Sequence, residues 1–220
     1  MTTPRATADR PVALVGGAEF DPEILNILQR LTDVFIAADG GADHLVRAGI
    51  TPRQVIGDMD SISARARQDF AHLLVPLDAE DTTDLEKVLA RVEAPVILGA
   101  GFLGGRLDHT MAALNVLARF SDKPLILLSE TDCCLRCPDA GLALSLPVGT
   151  AFAVLPMDAV TATSSGLHWD MDAMALHPAG FVSSSNRTAA PEVRLHVTGP
   201  AIVTLPVAQL SAAIAAVRAG

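Results

Sequence analysis

No apolar run in this chain approaches the roughly 20 residues that a membrane-spanning helix needs. Met1 to Arg10 is rich in Thr, Ala and Arg but has no apolar core, so it fits neither a secretory signal nor a membrane anchor. The expected compartment is therefore the cytoplasm. Cysteine is scarce: Cys133, Cys134 and Cys137 lie in one short segment, and their odd number leaves at least one thiol outside any intramolecular disulfide. A zinc site there would need a closing pair of ligands, and no second CxxC and no HxxxH occurs, so buried free thiols are expected. Cations are scarce too. Sixteen Lys and Arg against 25 Asp and Glu give a net charge of −9, which argues against a nucleic-acid partner, since such binding relies on basic side chains meeting phosphates. The same balance favours a small ligand that arrives with its own cations. Charged residues make up only 19% while half the chain is hydrophobic, so a packed globule with little disorder is expected.

At 220 residues there is room for one large domain or two small ones. From Val12 to about Ser129, short apolar runs alternate with stretches of helical period. Val12–Val15, Val34–Ala37, Gln54–Ile56, Leu73–Val75, Val96–Leu98 and Leu125–Leu128 read as strands. Leu107, Met111, Leu114 and Ala118 recur at helical intervals, and Thr83-Asp84-Leu85-Glu86 has the form of a capping box. This order predicts parallel strands covered by helices. After about Asp132 the helical period stops, and Leu142–Leu146, Ala151–Leu155, Gly180–Ser184 and Val193–Val197 alternate between Pro, Gly and Ser clusters. That half predicts a small antiparallel β-sandwich. Val207 to Arg218 reads as a closing helix with Leu210, Ile214 and Val217 on one face. The expected organisation is a loose 1–11, an α/β domain over 12–131 and an all-β domain over 132–220 ending in a helix.

In doubly wound sheets ligands sit beyond the carboxyl ends of the strands. The residues there are mostly Asp and Gly: Ala38-Asp39-Gly40-Gly41, Gly57-Asp58-Met59-Asp60-Ser61, Asp81-Thr82-Thr83-Asp84, and Gly104-Gly105-Arg106-Leu107-Asp108-His109. Asp39, Asp58, Asp60, Asp81, Asp84 and Asp108 would then crowd one rim, where their repulsion is destabilising unless cations intervene. Magnesium takes hard oxygen ligands, keeps several waters and binds through one or two carboxylates plus substrate phosphates, which suits acids scattered over several loops. Neighbouring glycines such as Gly40, Gly41 and Gly105 let backbone amides approach phosphate oxygens. Any one of these aspartates taken alone is better read as a cap or turn residue, Asp84 above all, because it opens a helix. The set together points to a site holding magnesium and a polyphosphate, with Arg106 as a phosphate clamp.

Other motifs compete. Gly99-Ala100-Gly101-Phe102-Leu103-Gly104 spells GxGxxG, but after the fifth strand rather than the first, and it leaves Arg106 and Asp108 without a role. No Gly-Lys-Ser or Gly-Lys-Thr occurs, which excludes a Walker loop. Ser164-Ser165-Gly166 and Ser183-Ser184-Ser185 lack a GxSxG elbow, and the six histidines show no metal-ligand spacing.

The segments 38–42, 57–61, 81–86 and 104–109, taken in order, resemble the thiamine pyrophosphokinase family. Ser165-Gly166-Leu167-His168-Trp169 and Val182-Ser183-Ser184-Ser185-Asn186 are similar to that family's two thiamine-domain signatures, so the resemblance runs from Val12 to about Val207. It implies an α/β nucleotide domain followed by a β-sandwich, and a homodimer in which thiamine lies where one subunit's sandwich meets the other's α/β domain. The implied reaction moves a diphosphoryl group from ATP to the hydroxyl of thiamine, leaving AMP. By motif position, Asp58, Asp60 and Asp81 would hold Mg2+. Asp39, Gly40, Gly41, Thr83, Asp84, Gly105, Arg106 and His109 would face the nucleotide, and Trp169, Ser185 and Asn186 would line the thiamine pocket. Attack by a hydroxyl at the β-phosphorus is mainly a matter of positioning and charge neutralisation. Asp108 or Asp81 would accept its proton, and the residues do not rank the two. Trp169 offers a flat face to an electron-poor ring, and Asn186 both donates and accepts, as an aminopyrimidine edge requires. Trp169 taken alone reads as core packing. Glu80 and Arg187 depart from the family pattern, each adding a charge where another type is usual. A hydroxymethylpterin as the accepting alcohol, or a dinucleotide bound at 99–104, are the alternative readings.

Overall fold

In the computed structural model, which describes residues 6–77 and 82–219, the chain divides into two units. One runs to Val116 and includes Leu127–Glu130; the other takes Leu117–Ile126 and everything from Thr131 on. The elements up to residue 128 are β1 (Ala6–Thr7), β2 (Val12–Val15), α1 (Glu23–Leu31), β3 (Phe35–Ala38), α2 (Gly41–Ala48), β4 (Gln54–Gly57), α3 (Ala64–Asp69), β5 (Leu74–Pro76), α4 (Asp84–Leu89), β6 (Val92–Glu93), β7 (Ile97–Ala100), α5 (Leu107–Arg119) and β8 (Leu125–Leu128).

Strands β2, β3 and β7 are buried at every residue, as befits parallel strands covered on both faces. They pair in the order β7-β2-β3-β4-β5, all parallel. The chain steps outward from β2 to β5 and then returns to lay β7 on the other side of β2, so the order reverses between β2 and β7. That reversal is where such sheets bind ligands. The helices start and stop where their sequences say. The Ser63 side chain caps α3, Gly49 ends α2 with a φ of +68°, and the Thr83–Glu86 capping box forms at α4 as its letters predict. In α5 the period is right, but of the expected Leu107, Met111, Leu114 and Ala118 only Ala118 is buried. Ala113, Val116, Leu117 and Ala118 are buried, whereas Leu107 and Met111 are 74% and 54% exposed. Helical spacing identifies a helix without saying which of its turns is covered.

The second unit holds β9 (Asp132–Arg136), β10 (Leu142–Ser145), β11 (Ala151–Pro156), β12 (Val160–Ser165), β13 (Met174–Leu176), β14 (Ser183–Arg187), β15 (Glu192–Thr198), β16 (Ala201–Pro206) and α6 (Leu210–Ala219). Its strands pair antiparallel in two sets, β14-β11-β16-β9 and β10-β15-β12-β13. Strand β15 alternates strictly between exposed and buried residues, the period-two signature of a half-covered strand. The run expected at Gly180–Ser184 begins later, at Ser183, because His177 to Gly180 closes a turn. The closing helix opens with a single 3-10 turn at Val207–Gln209, and α6 then packs on β10, β9 and β16. Its buried face is Leu210, Ala213 and Ala216 rather than Leu210, Ile214 and Val217, since alanines allow a closer approach to the strands. The three cysteines are free and buried; burial above all pushes Cys133 and Cys134 up to about 12 and Cys137 up to about 11, so they are inert thiols. Among the described residues no helix is long and apolar enough to cross a membrane.

Candidate active site

The ends of β3 and β4 build an acidic corner. Asp39, one residue past β3, takes a left-handed φ of +41°, and Met59, between Asp58 and Asp60, takes +68°. Non-glycine residues rarely sit there, and such strain gathers at functional sites. The turn at Asp39 aims its carboxylate inward, where it is 1% exposed. Asp39 Oδ2 accepts from the Ser61 amide at 3.1 Å, while Oδ1 is buried without any partner. Gly57 makes this possible, because a Cβ there would lie 2.8 Å from the Cβ of Asp39. Asp39, Asp58 and Asp60 each bring one carboxylate oxygen within 4.8 Å of the other two. An all-oxygen set with one buried, unpaired acceptor fits a hard divalent cation. Asp39 thus clusters with the carboxylates of Asp58 and Asp60, whereas its motif position set it with the nucleotide.

Charge balance in this corner comes from Lys87, whose side chain is 5% exposed. Its ammonium lies 3.0 Å from Asp58 and 3.1 Å from Asp84. Burial alone would lower the Lys87 pKa, but the two carboxylates outweigh it and raise the value. The hydrogen bond from Lys87 in turn holds Asp58 below the usual carboxylate range. Asp39 goes the other way: burial, then the charges of Asp84 and Asp58 and a bond from Asp60, push it from 3.8 up to about 6 against the pull of the Ser61 amide. Thr83 spends its hydroxyl on the α4 cap. Asp81 and Glu80 lie outside the described residues.

Gly41 opens α2 against the end of β2, where an added Cβ would sit 1.8 Å from the Val15 carbonyl oxygen. Its lack of a side chain is therefore a packing requirement. Gly40 has ordinary room beside Ser61. Across the order reversal, the loop after β2 is laced to the loop after β7 by Gly16 N–H to Ala100 O at 2.8 Å and Ala18 N–H to Gly101 O at 3.0 Å. Beyond it, Gly105 lies near Ala18, and the exposed Arg106 makes a bidentate pair with Asp108 at 3.1 and 2.6 Å. That bond holds Asp108 below the usual carboxylate range. His109 is exposed in the first turn of α5. Asp108 is not in the three-acid cluster; it sits past β7, three strands along the sheet from β4.

In the second unit, β14 carries a bulge opposite β11, where pairing shifts between Phe152–Asn186 and Val154–Ser183. Ser185, exposed in that bulge, has a φ of +60°. Asn186 is 3% exposed and faces the 166–170 loop, while Trp169 in that loop is 57% exposed. His168 meets the indole edge-on at 4.5 Å, and the Arg187 guanidinium lies 5.7 Å from its centre.

Residues 25–127 match the model of the thiamin pyrophosphokinase catalytic domain, and 143–202 match that of the thiamin pyrophosphokinase vitamin B1 binding domain. The chain belongs to the thiamin pyrophosphokinase family. Among its relatives is thiamine pyrophosphokinase 1 of Oryza sativa subsp. japonica, 30% identical over 196 residues, 73% of this chain and 74% of that protein. Thiamin pyrophosphokinase 1 of Caenorhabditis elegans is 29% identical over 189 residues, 77% of each chain. In fold, thiamin pyrophosphokinase from Candida albicans superposes with a TM-score of 0.77 at 16% identity, covering 94% of this chain and 95% of that one.

For a thiamin pyrophosphokinase family member, two residues of this site carry weight that the motifs do not announce. Lys87 is one, and its signal in the sequence is a lysine three residues after Asp84 inside a helix, the spacing at which helical side chains meet. Gly57 is the other. It is the last residue of β4, just before Asp58, and its lack of a side chain leaves room for Asp39.

Proposed function

We propose that this chain transfers the diphosphoryl group of ATP to the hydroxyl of thiamine, giving thiamine diphosphate and AMP, with Mg2+ held by Asp39, Asp58 and Asp60. The observation that carries the reading is the buried, unpaired Oδ1 of Asp39 beside two further carboxylates in a chain of this family. Mg2+ bound there would neutralise polyphosphate oxygens as charge shifts towards the leaving AMP.

The remaining work falls to the chain itself. Lys87 keeps Asp58 ionised and oriented through its hydrogen bond. The loops after β2 and β7 meet at the switch point, and Arg106 is exposed for a phosphate, exchanging its Asp108 partner for a stronger anion. Transfer rests on positioning and on neutralised charge rather than on a strong proton acceptor. In this reading the first unit takes ATP and the second takes thiamine, with Trp169 as its stacking surface. The working form is a cytoplasmic homodimer.

The test is AMP formation by purified protein. It is expected to need both thiamine and Mg2+; release of ADP, or turnover in a chelator, overturns the proposal. Competing a hydroxymethylpterin with thiamine in one assay separates the two alcohols. Calorimetry with NAD and with ATP plus Mg2+ tests the Gly99–Gly104 stretch, which sits at the same switch point: binding of NAD alone would shift the reading to a dinucleotide.

A further inference from the structure

Asn186 lies inside the second thiamine-domain signature, and its amide suits an aminopyrimidine. In this structure that amide is already occupied. Oδ1 accepts from the Trp169 amide at 3.2 Å and from the Arg187 amide at 2.9 Å, and Nδ2 donates to the Trp169 carbonyl at 2.8 Å. Both acceptor positions and one of the two N–H groups are used, in a side chain that is 3% exposed. What remains is a single N–H in a closed environment.

The pattern of those bonds is that of a strand partner. By meeting both the N–H and the C=O of Trp169, the Asn186 side chain extends a short ladder between β14 and the 166–170 loop. That ladder also contains His168 N–H to Arg187 O at 2.8 Å, Ala189 N–H to Gly166 O at 2.7 Å and the Leu167–Thr188 bridge. Trp169 is thus fixed through its backbone while its indole stands 57% exposed. A ring so exposed gains little from core packing, and an ordered exposed aromatic is what a preformed stacking surface consists of, since its ordering cost is met before a ligand arrives.

We propose that Asn186 is a positioning residue: it acts on thiamine through Trp169, by locking the peptide that presents the indole, and does not itself contact the vitamin. This rests on the thiamine reading above, and the experiment separates the two. Trp169 is the only tryptophan and the chain has no tyrosine, so red-edge fluorescence reports on this one ring.

In the wild-type protein the unliganded indole is expected to show the slow anisotropy decay of the whole molecule. Fast local motion would overturn the proposal without any variant. Asn186→Ala is expected to release the ring, lowering the anisotropy and raising acrylamide quenching. It should also raise KM for thiamine about tenfold while leaving kcat and KM for ATP near wild type. In a double-mutant cycle, Asn186→Ala combined with Trp169→Ala should cost no more than Trp169→Ala alone. A raised KM with unchanged anisotropy and quenching, or additive effects in the cycle, means that Asn186 touches the substrate and overturns the proposal. Unchanged KM and fluorescence overturn it as well. If thiamine leaves wild-type Trp169 emission unaltered, the thiamine reading fails, while the anisotropy of the ring still reports on the clamp.

Discussion

The two units prepare for ligands in opposite ways. The first hides charge: Asp39 is 1% exposed with an oxygen left unpaired, and Lys87 is buried between two acids. The second displays apolar surface, with Trp169 and Phe181 57% and 59% exposed. Each arrangement is unfavourable in the free protein and becomes favourable when the complementary partner, a cation or a flat ring, arrives. Each is also fixed by backbone strain nearby, at Asp39 and Met59 in one unit and at Ser185 in the other. The difference teaches where substitutions should act on binding and where on stability.

The sharpest break of that contrast is at Asp58 and Asp60. Asp58→Asn and Asp60→Asn are each expected to lower turnover by ~100-fold or more, about 3 kcal/mol of transition-state stabilisation, with the fold intact. Near-normal rates in both would place the cation elsewhere. Gly41→Ala should act on stability instead. With a Cβ 1.8 Å from the Val15 oxygen, the helix has to shift, at an expected loss of about 2–3 kcal/mol in denaturant unfolding. Lys87→Met leaves Asp58 and Asp84, both about 40% exposed, without their counter-ion. Solvent screens part of the repulsion, so a loss of about 1–2 kcal/mol is expected, and it should shrink when Mg2+ is added.

The pH response of Asp39 sharpens the contrast further. Its folded pKa, about 6, lies above its ordinary 3.8, so the folded protein holds a proton there that the unfolded chain releases. Without divalent ions its contribution to stability is full below about pH 4 and is lost as pH rises through about 6. Mg2+ needs the ionised form, so the rise in melting temperature that Mg2+ produces should grow with pH across that same interval. A pH-independent Mg2+ effect would remove Asp39 from the ligand set. The smallest effect is expected in the second unit. Arg187 stands 5.7 Å from the Trp169 ring, where it would repel a cationic thiazolium bound on that ring. Arg187→Gln should lower KM for thiamine about two- to threefold, the size of a screened charge interaction.

Much of this was legible in the letters. Val12–Val15 and Leu125–Leu128 are strands to the residue, because runs buried on both faces have no polar residue to blur their edges. The α4 capping box was readable for the same reason: its two reciprocal hydrogen bonds depend on residues three apart. In the second unit, β12, with its Thr and Ser residues, and β13, only three residues long, carry too little apolar signal to stand out. At the site, Asp58 and Asp60 were visible as a pair because they are two residues apart. That Asp39 completes them depends on β3 lying beside β4, a long-range pairing that no local spacing encodes. An amide such as that of Asn186 can recognise a base edge or a peptide, and here it is the Trp169 peptide that lies beside it.

Gly57 and Asp39 share one small volume, the side chain of one occupying the place where the other would carry a methyl group. The acid is therefore held by a missing atom on the next strand. Any enlargement at 57 would evict the carboxylate without touching a single ligand, so in lineages that keep this corner the two positions should be lost or retained together.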